Sequence, residues 1–179
     1  APDSQYGRPE DLKALIDAAH ARGLMVLLDV VYNHFGPEGN YLYVYAKRFF
    51  DAERHTPWGA AINFDGKDSR SVREFFIENA VYWLEEYRFD GLRLDAVHAI
   101  DDRSPQHILE AIAERVYAAI PADRHVHLVL ENDDNEARFL QQTPSRQPPR
   151  YVAQWNDDIH HAFHVLLTGE GEGYYSDYA

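Results

Sequence analysis

Two acidic residues, Asp95 and Glu131, each close a short apolar run, and Arg93 stands two positions before the first of them. In Gly91-Leu92-Arg93-Leu94-Asp95-Ala96-Val97-His98 the leucines alternate with the charged pair, so on a strand Leu92 and Leu94 take one face and Arg93 and Asp95 the other. A cation within about 4–6 Å favours a carboxylate, so Arg93 is expected to hold Asp95 ionised. Glu131 follows Leu128, Val129 and Leu130 and lies among the acids of Asn132-Asp133-Asp134, surroundings that would raise its pKa. One ionised and one protonated carboxyl at about 5–5.5 Å suit a retaining glycosidase, the first attacking and the second carrying the proton, whereas an inverting enzyme leaves more room for water. A structural ion pair at a strand end is the competing reading of Arg93 and Asp95.

Metal chemistry is the rival use of such polar clusters, and two histidine pairs invite it. His125 and His127 flank Val126 at the start of a strand, the end remote from Glu131. His160 and His164 stand at i and i+4 on a helix, without the glutamate that follows the first histidine of a zincin helix. Neither pair reads as a ligand set, so no metal and no organic cofactor is expected.

Holding Asp95 and Glu131 in place takes strands, and the chain provides them between helices. Pro9 suits a first helical position, Glu10 and Asp11 its first turn, and Leu12, Leu15, Ile16 and Ala19 recur at helical spacing until Gly23. Residues 24–31 form a nearly continuous apolar strand broken only by Asp29, the pattern of a parallel strand covered on both faces, and Asn33 and His34 follow its end. Over residues 35–67 periodicity dissolves into a stretch rich in Gly, Pro and Tyr, including Pro37 and Thr56-Pro57-Trp58-Gly59. It reads as a long functional loop whose Tyr41, Tyr43 and Trp58 either stack on sugar rings or pack the loop down. Ser71 with Glu74 predicts a capping box for a helix over 71–88, striped by Val72, Phe75, Phe76, Ala80, Trp83, Leu84 and Tyr87. Ser104 and Pro105 open the next helix, with Ile108, Ile112, Val116 and Ala119 inward and Pro121 closing it. A strand over 126–130 leads to Glu131, and a loop rich in Gln and Pro with a short helix follows. A short strand over 151–154 then ends in Trp155-Asn156-Asp157-Asp158, and Ile159, Phe163, Leu166 and Leu167 stripe a last helix.

Strands alternating with helices require a parallel sheet covered by helices. Every strand carries polar or aromatic groups at its C-terminal end, as in a (β/α)8 TIM barrel, and no strand is followed by the glycine-rich phosphate loop of a doubly wound sheet. Four strands are half of eight, so residues 1–179 read as part of one barrel domain, with both ends cut. A net charge of −13 argues against nucleic acid or an anionic membrane and fits a neutral polar substrate. The absence of cysteine excludes a disulfide framework and thiol chemistry, and without a signal peptide or a long apolar run the expectation is a soluble, cytoplasmic protein. Oligomeric state is not legible.

The ordered motifs Asp29-Val30-Val31-Tyr32-Asn33-His34, Gly91-Leu92-Arg93-Leu94-Asp95 and the strand ending in Glu131 resemble the first three signature regions of the α-amylase family of glycoside hydrolases, at the ends of barrel strands three, four and five. More narrowly, residues 56–66, 95–100, 131–134 and 154–161 are similar to its maltooligosyltrehalose trehalohydrolase branch, and the resemblance covers essentially the whole chain. It implies a partial barrel of about strands three to six, with Asp95 as nucleophile and Glu131 as general acid/base. It further implies that Asn33, His34 and Arg93 line the bound glucose and that His98, Trp155, Asn156, Asp157 and Asp158 contact substrate. The substrate implied is maltooligosyltrehalose or a related α-glucan, cleaved to release trehalose. Leu130 stands where the wider family often has glycine, and Val97-His98 where it often has Lys-His; both departures fit the branch and speak against a plain amylase. The family's third carboxylate, after strand seven, lies outside this chain, so the span alone is expected to be inactive. A glycogen branching enzyme is the nearest alternative. A non-catalytic amylase-like binding subunit is disfavoured by the joint presence of Arg93, Asp95 and Glu131.

Overall fold

Gly91 begins a strand that can lie close to its neighbour only because it has no side chain: a Cβ there would meet the His127 carbonyl oxygen at 2.1 Å. A computed structural model of the chain describes residues 2–36, 38–141 and 150–179. Its elements run α1 (Pro9–His20), β1 (Leu27–Val31), the single-turn α2 (Leu42–Tyr45), β2 (Phe50–Thr56), β3 (Gly59–Ile62), α3 (Ser69–Glu86), β4 (Gly91–Asp95), α4 (Ile108–Ala119), β5 (His127–Glu131), β6 (Ala153–Trp155) and α5 (Asp157–Thr168). The expected short helix between β5 and β6 is a 3-10 turn at Ala137–Leu140. Pro37 and the Gln- and Pro-rich loop over 142–149 lie outside the described residues.

The order β1-β4-β5-β6 makes one parallel sheet. Val31 pairs with Asp95, Leu94 with Leu130, and Glu131 with Trp155, so the polar strand ends are level. Leu92, Leu94, Leu128 and Leu130 are fully buried in one cluster with Val72, Phe76, Ala80 and Leu84 of α3 and Ile108, Ile112 and Val116 of α4. Burial of these side chains contributes roughly 1.5–3 kcal/mol each, and period-2 alternation then turns Arg93, Asp95 and Glu131 to the opposite face. Among the described residues no helix is long and apolar enough to cross a membrane.

Five local expectations are corrected. The stretch 35–67 is not structureless, because β2 and β3 pair as an antiparallel hairpin whose turn carries Pro57 and Trp58. Arg54 fastens it with ion pairs to Asp51, Asp65 and Asp101. β1 is not covered on both faces: it is the sheet edge, and Leu27 and Val31 are exposed. The apolar residues Ile159, Phe163, Leu166 and Leu167 of α5 are likewise exposed, because no described element packs over them. The capping box does not form, since α3 starts two residues early from Asp68 in the left-handed region. Finally α4 starts at Ile108, capped by His107, because Ser104 is bonded to the buried Asp102 instead.

Asp102 offers a pH test of this packing. Its side chain is 0 % exposed and accepts hydrogen bonds from Arg73 (2.7 Å), the Ile108 N–H (2.6 Å) and the Ser104 N–H (2.9 Å). Burial alone would raise its pKa, but the bonds from Ser104 and Arg73 outweigh that and hold the carboxyl below its usual value. A depressed folded pKa contributes stability that is complete above the unfolded value of about 3.9 and is lost as pH falls through the folded one. Asp102→Ala in the intact protein is therefore expected to cost about 3–5 kcal/mol at pH 7, because Arg73 loses its carboxylate partner, keeping only the Phe64 and Gln106 carbonyls and the Ser104 hydroxyl, and the Ile108 and Ser104 N–H groups lose their acceptor. Thermal unfolding should show a lower midpoint at pH 7 and a narrowing gap to wild type below about pH 4.

Candidate active site

The sheet brings four charged side chains to one end. Nη1 of Arg93 donates to both oxygens of Asp29, at 2.9 and 3.0 Å, and to Oδ1 of Asp95 at 2.5 Å. Its other terminal nitrogen lies 4.0 Å from Oε2 of Glu131. Burial works against the charge on Arg93, but the bonds it donates to Asp29 and Asp95 prevail and raise its pKa above the ordinary guanidinium value. The indole of Trp155 closes over the cation, 4.5 Å from ring centroid to Cζ.

The backbone after Asp95 also takes part. Ala96 sits at φ 47°, a left-handed conformation disfavoured for any residue with a Cβ, and its N–H donates to Oε2 of Glu131 at 2.6 Å. Asn33 holds that turn from below: only 1 % exposed, it donates its amide N–H groups to the carbonyls of Asp95 (2.9 Å) and Ala96 (3.0 Å), and its oxygen meets Nδ1 of His34. The groups nearest the Glu131 carboxylate thus differ from the sequence expectation, being the Ala96 peptide N–H that donates to it and the Arg93 guanidinium 4.0 Å away.

One wall of the site is aromatic. Trp58, at the turn between β2 and β3, stacks on His34 with centroids 5.3 Å apart and meets His98 edge-on at 6.5 Å. Nδ1 of His98 accepts from the Asp133 N–H at 3.3 Å, which leaves its hydrogen on Nε2 when the ring is neutral.

Of the residues expected to face substrate, Arg93, Asp95, Glu131, His34, His98 and Trp155 come together at this end. Asn33 is buried beneath them, with its amide engaged by the carbonyls of Asp95 and Ala96. Asn156 is likewise engaged internally, capping α5 by accepting from the Ile159 N–H at 3.0 Å. Asp158 accepts from Asn135 and from Tyr178. Asp157 lies beside His160 and His161 in the first turns of α5, with donor atoms within 4.8 Å of one another. His164, the other half of the i, i+4 pair, bonds to Glu170 and stacks on Tyr175. Sequence reasoning passed over Asp29 as a partner of Arg93, although its place as the sole polar break in an apolar strand was the available signal.

A parallel sheet that gathers the carboxyls of Asp29, Asp95 and Glu131 around one arginine at its C-terminal end has the layout of part of a (β/α)8 barrel. The family description "Alpha amylase, catalytic domain" matches residues 2–58. The chain's relatives include malto-oligosyltrehalose trehalohydrolases from Saccharolobus solfataricus (48 % identical over 99 % of this chain) and Arthrobacter ramosus (47 % over 97 %). The chain spans 30 % of the length of each. A crystal structure from Salmonella typhimurium assigned as an alpha amylase superposes with a TM-score of 0.92 at 49 % identity, covering 100 % of this chain and 30 % of that one.

Proposed function

We propose that the protein containing this chain is a retaining α-glucosidic hydrolase that frees trehalose from the end of maltooligosyltrehalose. Residues 1–179 supply about barrel strands three to six, the stretch 35–67 covers the site, and the third carboxylate comes from the rest of the barrel. The observation that carries the reading is the shared engagement of Asp95 and Glu131: one arginine reaches both, and the peptide that follows Asp95 holds Glu131. In the first step Asp95 attacks the anomeric carbon while Glu131 protonates the departing glycosidic oxygen. In the second Glu131 takes a proton from water, which displaces Asp95. Arg93 keeps Asp95 oriented, Asn33 fixes the peptide between the two acids, and His34, His98, Trp58 and Trp155 form the sugar-facing wall. Asp157 is the acid of the β6–α5 junction left to meet substrate. Likeness to the trehalohydrolases supports the choice of substrate, and a cytoplasmic location belongs to the same reading.

Incubating the intact protein with maltooligosyltrehalose and, separately, with amylose tests it. Trehalose release from the first without new α-1,6 linkages in the second is the expected outcome. Branch formation would identify a glucan transferase instead, the activity named for a relative 45 % identical over 54 % of this chain, a Rhodopseudomonas palustris branching enzyme.

A further inference from the structure

The four residues after Glu131 are held by contacts from three other parts of the chain. The Asn132 N–H donates to the Trp155 carbonyl (3.3 Å) and its side-chain amide to Gln154 (3.2 Å), both in or beside β6. The Asp133 N–H donates to His98. Asn135 closes the turn by donating its backbone N–H to the Asn132 carbonyl at 3.2 Å, and it does so at φ 53°, the left-handed region that asparagine adopts more readily than other residues with a Cβ.

The side chain of Asn135 is held by Asp158. Its Oδ2 accepts from the Asn135 amide at 2.6 Å and its Oδ1 from the Tyr178 hydroxyl at 3.1 Å, so each oxygen has a donor from a different segment. Tyr178 is itself placed by packing. The 3-10 turn Gly173–Tyr178 folds back on α5, and Tyr174, Tyr175 and Tyr178 surround the buried ring of His161 at centroid distances of 5.0, 5.9 and 5.0 Å. A carboxylate whose two oxygens each accept from a different segment ties the left-handed turn at Asn135 to the C-terminal 3-10 turn.

We propose that Asp158 is a positioning residue which, braced by Tyr178, holds Asn135 and thereby sets the direction in which Glu131 leaves β5. The inference rests on Glu131 being the general acid/base. A shift of the turn would move the Glu131 carboxyl relative to the leaving oxygen, and misplacements of about 1 Å commonly cost up to a hundredfold in rate.

The test is made in the intact protein with Asp158→Ala, Asn135→Gly and their double variant; glycine tolerates the left-handed turn and removes only the side chain. Each single variant is expected to lower kcat on maltooligosyltrehalose between about ten- and a hundredfold, with KM within about twofold, and to affect maltosyl fluoride, whose leaving group needs little protonation, far less. The double variant should lose no more than the worse single one, because both cut the same contact. Tyr178→Phe, which deletes one hydroxyl, should show the same split between substrates with a smaller loss, and it carries the test if Asp158→Ala fails to fold. A raised KM with unchanged kcat in Asp158→Ala beside a normal Asn135→Gly would make Asp158 a substrate contact and overturn the proposal, as would additive losses in the double variant. Glu131→Gln separates the two claims. Full activity in that variant overturns the acid/base reading, whereas its failure beside undiminished Asn135→Gly and Asp158→Ala overturns the brace alone.

Discussion

Asp95→Asn in the intact protein should lower turnover of maltooligosyltrehalose by at least about 10⁴-fold, because an amide is a far weaker nucleophile toward an anomeric carbon and no covalent intermediate can form. The structure argues that the loss will be chemical. Asparagine keeps an acceptor for Arg93, and that arginine retains its two bonds to Asp29. The peptide after residue 95 stays tied to Asn33 and Glu131 through backbone atoms that the substitution does not alter. Unchanged circular dichroism and thermal midpoint with abolished turnover is the expected pattern. A fluoroglucosyl inactivator should in turn label wild type at Asp95, read by peptide mass mapping. A label on Asp29, Asp133 or Asp157 would overturn the assignment of the nucleophile.

Glu131→Gln should separate substrates by their leaving groups. Glutamine cannot donate a proton to the glycosidic oxygen, so natural substrates are expected to slow by about 10²–10⁴-fold, while fluoride as leaving group departs with little help and loses much less. The amide oxygen of glutamine can still accept the Ala96 N–H, so the left-handed turn after Asp95 has no reason to relax. Azide, which needs no deprotonation, should restore the second step by displacing Asp95 and yield the azide of the transferred maltooligosyl group. Equal damage to both substrate types, with no azide product, would mean that another group carries the proton.

How far the chain could be read in advance follows from what decides each feature. In β4 the alternation of Leu92 and Leu94 with Arg93 and Asp95 leaves one solution, since only one face can be buried against helices without burying charge. The helical stripes of α3 and α4 and the parallel order of the four strands are legible for the same reason. Local composition states which face must leave water, and period states where the next such residue falls. Hence the placing of Asp95 and Glu131 at the ends of neighbouring strands was already implicit in the residues.

The hairpin over 50–62 was not legible. Its strand Phe50-Asp51-Ala52-Glu53-Arg54-His55-Thr56 has no clean apolar face, and what secures it is Arg54 reaching Asp65 and Asp101, partners 11 and 47 positions away in sequence. That hairpin carries Trp58 onto His34 and His98, so one wall of the site exists only in the folded chain. The roles of Asn33, Asn156 and Asp158 were hidden for a related reason. A polar side chain at a strand end reads the same whether it meets a sugar, a helix N-terminus or a neighbouring turn, because each offers donors and acceptors of equal kind. The choice among them was made by long-range geometry: Ala96 in the left-handed region exposes carbonyls to Asn33, and Asn135 at positive φ presents its amide to Asp158. Sequence alone determined which face of each strand the charged residues Arg93, Asp95 and Glu131 occupy, since burial and period are local. Which polar groups are free to meet substrate, and which hold the others still, was decided by tertiary contacts, since hydrogen bonds of this kind depend on distances that no spacing along the chain records.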